Sequence, residues 1–293
     1  MLSGLQGAGD WYILALLAWL LMGTQRFFYK VSAARGCNSA WTTFAFMATV
    51  TLLSAALFFS TGENPGEPGL LVLIALLNSL AFLAGTISHI EALKHLPAGV
   101  VYPLTRLSLV VVVLFSVLFF QDRLSPWQGL GITLALAVVL LLTRQPGAGS
   151  GPATASRRGL ALVLVAILAG AAASISSKFA ALHTGKLAFM AVSYCASTLF
   201  SLGLTGRLQP TEAGGRHREA LLIGLAMGVL NFAGYYAFLR ALELGPLSVI
   251  AALTSMHFVI AIALSVAVYR ERLTRTRLLG ILLTLASVLL MRL

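Results

Sequence analysis

The sequence predicts an all-α membrane protein of ten transmembrane helices, arranged as two inverted five-helix repeats. Three observations carry this. Of 293 residues, 59% are hydrophobic and only 10% charged, with a mean hydropathy of +0.93, a composition that water does not keep in solution. The apolar residues fall into runs of about 20, the length a helix needs to cross a ~30 Å hydrocarbon core. The second half of the chain also repeats the first: displaced by 149 residues without a gap, residues 92 to 141 lie over 241 to 290 and agree at 20 of those 50 positions.

In order, the runs span 11 to 32, 39 to 60, 69 to 92, 98 to 120 and 126 to 143, then 159 to 180, 186 to 205, 220 to 242, 247 to 269 and 276 to 292. Helices are expected because a lipid-facing backbone must satisfy its own hydrogen bonds, and the period-two alternation of barrel strands is missing. No Lys or Arg precedes Trp11 and no small-residue cleavage pattern follows its run, so the first segment is expected to stay as a helix and not to be a removed leader. GENPGEPG interrupts the chain after the second run and TRQPGAGSGPATASRR after the fifth, both rich in residues that break helices. The latter is the linker, 144 to 158, between a first unit of 1 to 143 and a second of 159 to 293.

The repeat does not rest on Leu over Leu alone. Pro97 falls on Pro246, Thr105 on Thr254, Arg123 on Arg272 and Gly131 on Gly280, with Asp122 over Glu271. Five spans per unit is an odd number, so the second copy enters the membrane from the opposite face, giving a pseudo-two-fold axis in the membrane plane, an architecture used for alternating access.

Two five-helix units, each with an Ala-Leu end to its third helix and an acidic-Arg-Leu turn between its fourth and fifth (QDRL at 121 to 124, RERL at 270 to 273), resemble the drug/metabolite transporter superfamily in its EamA branch. The resemblance implies a ten-helix carrier with a central cavity lined mainly by helices 1, 3, 4, 6, 8 and 9, helices 5 and 10 serving as scaffold. It does not fix the substrate. Members often carry a Pro near the middle of the fourth helix of each unit; here those stretches read LTRLSLV and TSMHFVI, with Pro103 earlier, so the cavity geometry is not carried over.

Ionisable groups at membrane depth cost ~2.5 to 3.5 kcal/mol at a helix centre on the insertion scale, which makes each a functional candidate. Arg106 is the ninth residue of the fourth run, about 12 Å in, and His257 the eleventh of the ninth. The 149-residue shift places His257 over Ser108, so the two lie at similar depths on related helices. Arg106 is expected to pair with a substrate carboxylate or phosphate, or else with an internal acid such as Glu91. His257 is expected to contact substrate or couple a proton, or else to bond a neighbouring carbonyl. Asn78, Asn231, Tyr235 and Tyr236 could bind or stack on a substrate, though helix-to-helix hydrogen bonding is the alternative for each Asn.

Lys30 and Lys178 are equivalents, near the ends of the first and sixth helices, and Glu91 and Arg240 are equivalents at the ends of the third and eighth. All four are candidates for a gate or cavity rim, with snorkelling to the interface as the alternative for the lysines and for Arg26, one turn before Lys30.

Other classes fit poorly. The +11 net charge, twenty basic against nine acidic residues, reads as a membrane-orientation signal and not as a nucleic-acid surface. Cys37 and Cys195, like His89 and His95, lack metal-ligand spacing. Ser174 and Lys178 could face one another as a dyad in an intramembrane enzyme, but small-residue helices make that spacing cheap, and Glu63 and Glu67 fall in a solvated loop. A non-transporting membrane subunit is the remaining alternative. Short-loop Lys and Arg number three on the side of the termini (Arg123, Lys186, Arg292) and twelve on the other, which places the termini away from the cytoplasm, whereas the resemblance places them inside; the count is preferred.

The expectation is therefore a secondary carrier, exporter or exchanger, of a small polar or amphipathic metabolite, amino-acid-like or an organic anion or zwitterion, in the cell inner membrane. Its partners are the small-molecule substrate, membrane lipid and a coupling proton or counter-substrate, without nucleic acid, metal or cofactor. A monomer is expected, with a dimer as the alternative.

Overall fold

A computed structural model describes residues 3–92, 95–96, 98–143, 157–208, 217–270 and 274–293. Most of the linker (144–156) and the Glu271–Leu273 part of the second turn lie outside these residues, as do Lys94 and Pro97. The described residues form α1 (Ser3–Ala34), α2 (Ser39–Thr61), α3 (Pro68–Ala92), α4 (Ala98–Thr105), α5 (Ser108–Phe119), α6 (Pro126–Thr143), α7 (Arg157–His183), α8 (Lys186–Leu208), α9 (His217–Leu244), α10 (Leu247–Ser255), α11 (His257–Tyr269) and α12 (Arg275–Arg292). Six stretches are long and apolar enough to span a membrane and four shorter helices are apolar, ten spans in all. The outward surface is correspondingly greasy, with Leu52, Phe59 and Leu118 at least 70% exposed.

One expectation needs correction. The fourth and ninth spans are not continuous: α4 stops at Thr105 and α5 begins at Ser108, and α10 stops at Ser255 and α11 begins at His257. At both breaks the ladder tightens to three-residue spacing, with Leu109 N–H donating to Arg106 O at 3.1 Å and Val259 N–H to Met256 O at 2.9 Å. In the second half hydroxyls beside the break bond backbone carbonyls of the preceding turn. Thr254 Oγ1 donates to Ile250 O at 2.7 Å and Ser255 Oγ to Ala252 O at 2.7 Å.

The two-fold relation recurs in the packing. α1 runs along α9 as α7 runs along α3, and α6 and α12 pack on each other. Gly131 meets Met291 at that last crossing and Gly280 meets Leu142, a pair of contacts that the 149-residue shift exchanges; a Cβ on either glycine would lie within 3 Å of its neighbour. Gln121 and Arg270, also 149 apart, both take left-handed backbone (φ +55° and +51°) directly after α5 and α11. A non-glycine residue there is uncommon, so its presence at both positions marks the same turn built twice.

The halves nevertheless differ. On the side of the termini α10 packs against α5, whereas among the described residues the related elements on the opposite side, α4 and α11, do not pack along each other in this way. One face is thus closed where the other is parted.

Candidate functional site

The two helix breaks meet at the apex of the parted region. The Arg106 guanidinium, just past α4, lies over the Phe258 ring, 5.8 Å from its centre. His257, the first residue of α11, donates from Nδ1 to Thr254 O at 2.6 Å; a carbonyl can only accept, so this contact fixes the tautomer. α1 reaches this point because Gly23 has no side chain: a Cβ there would sit 2.6 Å from His257 O and from Ile260 Cβ.

Beyond Gly23 a cavity of about 260 Å³ opens between α1 and α11, away from the termini. Arg26, Phe27 and Lys30 of α1 face Phe258, Ala261, Ile262 and Ser265 of α11 across it. Positions 258, 261, 262 and 265 follow the three-four spacing of one helix face, and 23, 26 and 30 do the same on α1. Lys30 also lies over the Tyr269 ring at 5.3 Å. The result is an apolar slot between rings and aliphatic groups, with basic heads at its inner wall.

The other expected residues are not among those lining this cavity. Asn78 is 8% exposed and bonds α3 to α7 and α8: its Nδ2 donates to Ala173 O (2.8 Å) and Ser176 Oγ (2.9 Å), and its Oδ1 accepts from Ser193 Oγ (3.2 Å). Asn231 accepts from Tyr194 OH of α8 at 2.5 Å, and Tyr235 OH meets Ser177 Oγ at 3.0 Å. These contacts stitch helices together. Tyr236 stacks on Phe232.

Lys178, Arg240 and two acids that the sequence did not place at a site, Asp122 and Glu243, lie on the closed side. The Lys178 ammonium is buried, donating to the Leu242 and Gly245 carbonyls at the end of α9, the latter at 2.8 Å, with the Phe120 ring 5.8 Å away. These are the orphan carbonyls that every helix C-terminus presents. Asp122 Oδ2 accepts from Ser248 N–H (3.1 Å) and Ser248 Oγ (2.8 Å) at the start of α10, and from Ser116 Oγ of α5. Glu243 joins Arg240 (2.7 Å) to Lys186 (2.9 Å), and Glu63 accepts from the Lys186 and Leu187 N–H groups that open α8. Glu91 lies 3.8 Å from His95 on the opposite side. Asp122 could not be assigned from spacing, because it acts on a helix far away in sequence, whereas the pairing of Glu243 with Arg240, three residues earlier on α9, follows helical spacing.

Inverted bundles with broken helices at the apex of a cavity are the construction of a membrane transporter. A model of the EamA-like transporter family matches residues 10–144 and again 157–293, and the chain belongs to that family. It is 34% identical over 126 residues to the "Uncharacterized transporter in cobO 3'region" of Sinorhizobium sp, an alignment spanning 89% of that protein and 42% of this chain, so the relative is about the size of one half. A solved crystal structure shares the fold over 96% of both chains at 16% identity, with a TM-score of 0.75. The protein is a transporter and not an enzyme. Consistent with this, Ser174 Oγ donates to Gly170 O at 3.3 Å while Lys178 serves the α9 carbonyls.

Proposed function

We propose that this transporter carries small organic anions that join a carboxylate or phosphate to an apolar body, by opening to each membrane face in turn. The observation that carries this is the convergence of Arg26 and Lys30 on the slot, with Arg106 over Phe258 at its apex, among described lining residues that are otherwise apolar apart from Ser265. A zwitterion would need an acid for its ammonium, which makes an anion the better fit than an amino acid. Phe27, Phe258 and Ile262 supply the apolar walls for the rest of the molecule.

The loop charge, twelve against three, supports a cytoplasmic location for the parted face, in the cell inner membrane. The cavity would then load from the cytoplasm, as in export or exchange. Asn78 and Asn231 act in this reading as helix ties, and His257 orders the break beside the substrate.

The test is uptake into proteoliposomes of radiolabelled phenyl phosphate, phenylalanine and phenethylammonium. Saturable entry of the anion is expected, with Arg26→Gln/Lys30→Gln lowering it about tenfold or more, since hydrogen bonds to charged groups contribute ~1.5 to 3 kcal/mol each. Entry of the cation without the anion overturns the charge assignment, as does an undiminished double variant.

A further inference from the structure

The residues lining the cavity have counterparts in the other half, and three of them differ in state: Lys30, Phe258 and Ala261 are half-buried, whereas Lys178, Leu109 and Val112 are buried. The one-residue gap that pairs Lys30 with Lys178 also pairs Arg26 with Ser174 and Phe27 with Ile175; the 149-residue shift pairs Phe258, Ala261 and Ser265 with Leu109, Val112 and Ser116. Two ring contacts support this register. Lys30 lies over Tyr269 and Lys178 over Phe120, and those two rings are themselves 149 residues apart.

On the parted side, the α11 members face the cavity. On the closed side, Leu109, Val112 and Ser116 are the buried residues of α5, 7%, 2% and 0% exposed, where that helix packs on α10. Lys178 is likewise buried, and its partners are the carbonyls of Leu242 and Gly245. Those carbonyls hold the place an anion would take. If the α9–α10 junction moves away to open this face, the ammonium loses both hydrogen-bond acceptors at the membrane edge of a low-dielectric bundle, which is costly even with the Asp122 carboxylate near enough to act on it.

We propose that Leu109, Val112, Ser116, Ser174, Ile175 and Lys178 form a second anion pocket, the mirror image of the first, created only when the protein opens toward its termini, where Lys178 exchanges the α9 carbonyls for the anionic group of the substrate. This rests on the anion reading of the open cavity. The two pockets are unequal: the first has Arg26 and Lys30, the second Lys178 with Ser174 in the arginine's place. The second pocket holds the anion more weakly, as suits a release site.

The experiment uses the full chain in proteoliposomes, with Cys37→Ala and Cys195→Ala to remove native thiols and Val112→Cys as reporter. A membrane-impermeant maleimide is applied from the side of the termini. In this parent, phenyl phosphate is expected to slow labelling at least threefold. Lys178→Gln is expected to speed labelling at least fivefold, by releasing the α9 carbonyls, and to abolish the protection. Ser174→Arg, which restores the missing cation and leaves the carbonyl contacts intact, is expected to lower the phenyl phosphate concentration needed for half-protection about tenfold. Labelling indifferent to both Lys178→Gln and phenyl phosphate overturns the proposal, and so does a Ser174→Arg protein with the parent's half-protection value. Uptake of phenyl phosphate by the same parent is measured alongside. Its absence overturns the anion reading, whereas normal uptake with indifferent labelling overturns the mirror pocket alone.

Discussion

Asp122→Ala should unlatch the face on the side of the termini. One carboxylate oxygen accepts from Ser116 Oγ, Ser248 N–H and Ser248 Oγ, and so ties the turn after α5 to the first turn of α10. The two hydroxyls can rotate to other acceptors, but the Ser248 amide cannot, and Ser248 is 0% exposed. An unsatisfied buried donor costs about 1 to 3 kcal/mol, and loss of an N-terminal cap about 0.5 to 2 kcal/mol. Because these describe partly the same contact, about 2 to 3 kcal/mol in total is reasonable. The Ser248 contacts exist only while α5 and α10 are packed, so their cost falls on the closed form. At about 1.4 kcal/mol per factor of ten, the open-to-closed ratio rises about 30- to 140-fold. Maleimide labelling of Val112→Cys, with the native cysteines replaced, reads this ratio directly as long as the open form is the minor one, since the rate then tracks its population. A folded, monodisperse variant that labels within threefold of its parent would refute the reasoning, by showing that the carboxylate binds both forms equally.

Three further outcomes are expected. His257→Phe leaves the Thr254 carbonyl without its side-chain donor at the helix break, and should lower the melting temperature together with flux, while His257→Asn, which keeps a donor, should retain more of both; equal melting of the two variants counts against a structural part for the imidazole. Asn78→Leu removes the tie between α3, α7 and α8 and leaves Ser193 Oγ with one acceptor fewer, which should destabilise by about 1 to 3 kcal/mol in denaturant titration but leave the KM for the anion within twofold; a tenfold rise in KM would return Asn78 to the substrate site. Gly23→Ala drives a methyl to 2.6 Å from a backbone oxygen and should cost about 1 to 3 kcal/mol, while Gly129→Ala, with nothing within 4 Å, should not destabilise by that mechanism. A Gly23→Ala protein as stable as Gly129→Ala would mean that α1 does not cross the break closely.

What the sequence made legible follows from what repeats in it. Run lengths give the spans, and the 149-residue shift gives the two-fold, because both follow from side-chain type and order alone. The depth of Arg106 and His257 was legible for the same reason. The helix breaks were not anticipated, although they carry a readable signal: Thr254 and Ser255 with His257, and Thr105 and Arg106 with Ser108, are polar clusters inside otherwise apolar runs, and hydroxyls in such places compete for helix carbonyls. Arg26 looked like a residue bound for the interface and instead lines the cavity, because the bend between α10 and α11 gives its side chain a space to face. The closed-side latch was beyond reach, since Asp122 and Ser248 are 126 residues apart and neither sits at membrane depth. Lys30 and Lys178 make the limit plain. They are equivalent in sequence, yet one lines a cavity and the other caps a helix. A single conformation of an inverted repeat must break its own symmetry, and no residue pattern records which half is open.

That asymmetry bears on coupling. Arg26 is exposed to the cavity, so closing the parted face over an empty slot takes its guanidinium out of water. The effective penalty for burying an ion without a partner is several kcal/mol, and an anion in the slot offsets most of it. If even about 2 kcal/mol goes uncompensated in the empty form, the empty protein changes face about 30 times more slowly than the loaded one. The protein should therefore exchange anions faster than it carries them in one direction. Vesicles preloaded with unlabelled phenyl phosphate should take up the labelled compound at least ten times faster than vesicles holding buffer alone. Arg26→Gln, which removes the charge that must be buried, should bring the two rates closer together by speeding the empty return. Equal initial rates in the unsubstituted protein would show that an unpartnered Arg26 does not limit the return step, and the cost of closure would then lie outside the slot.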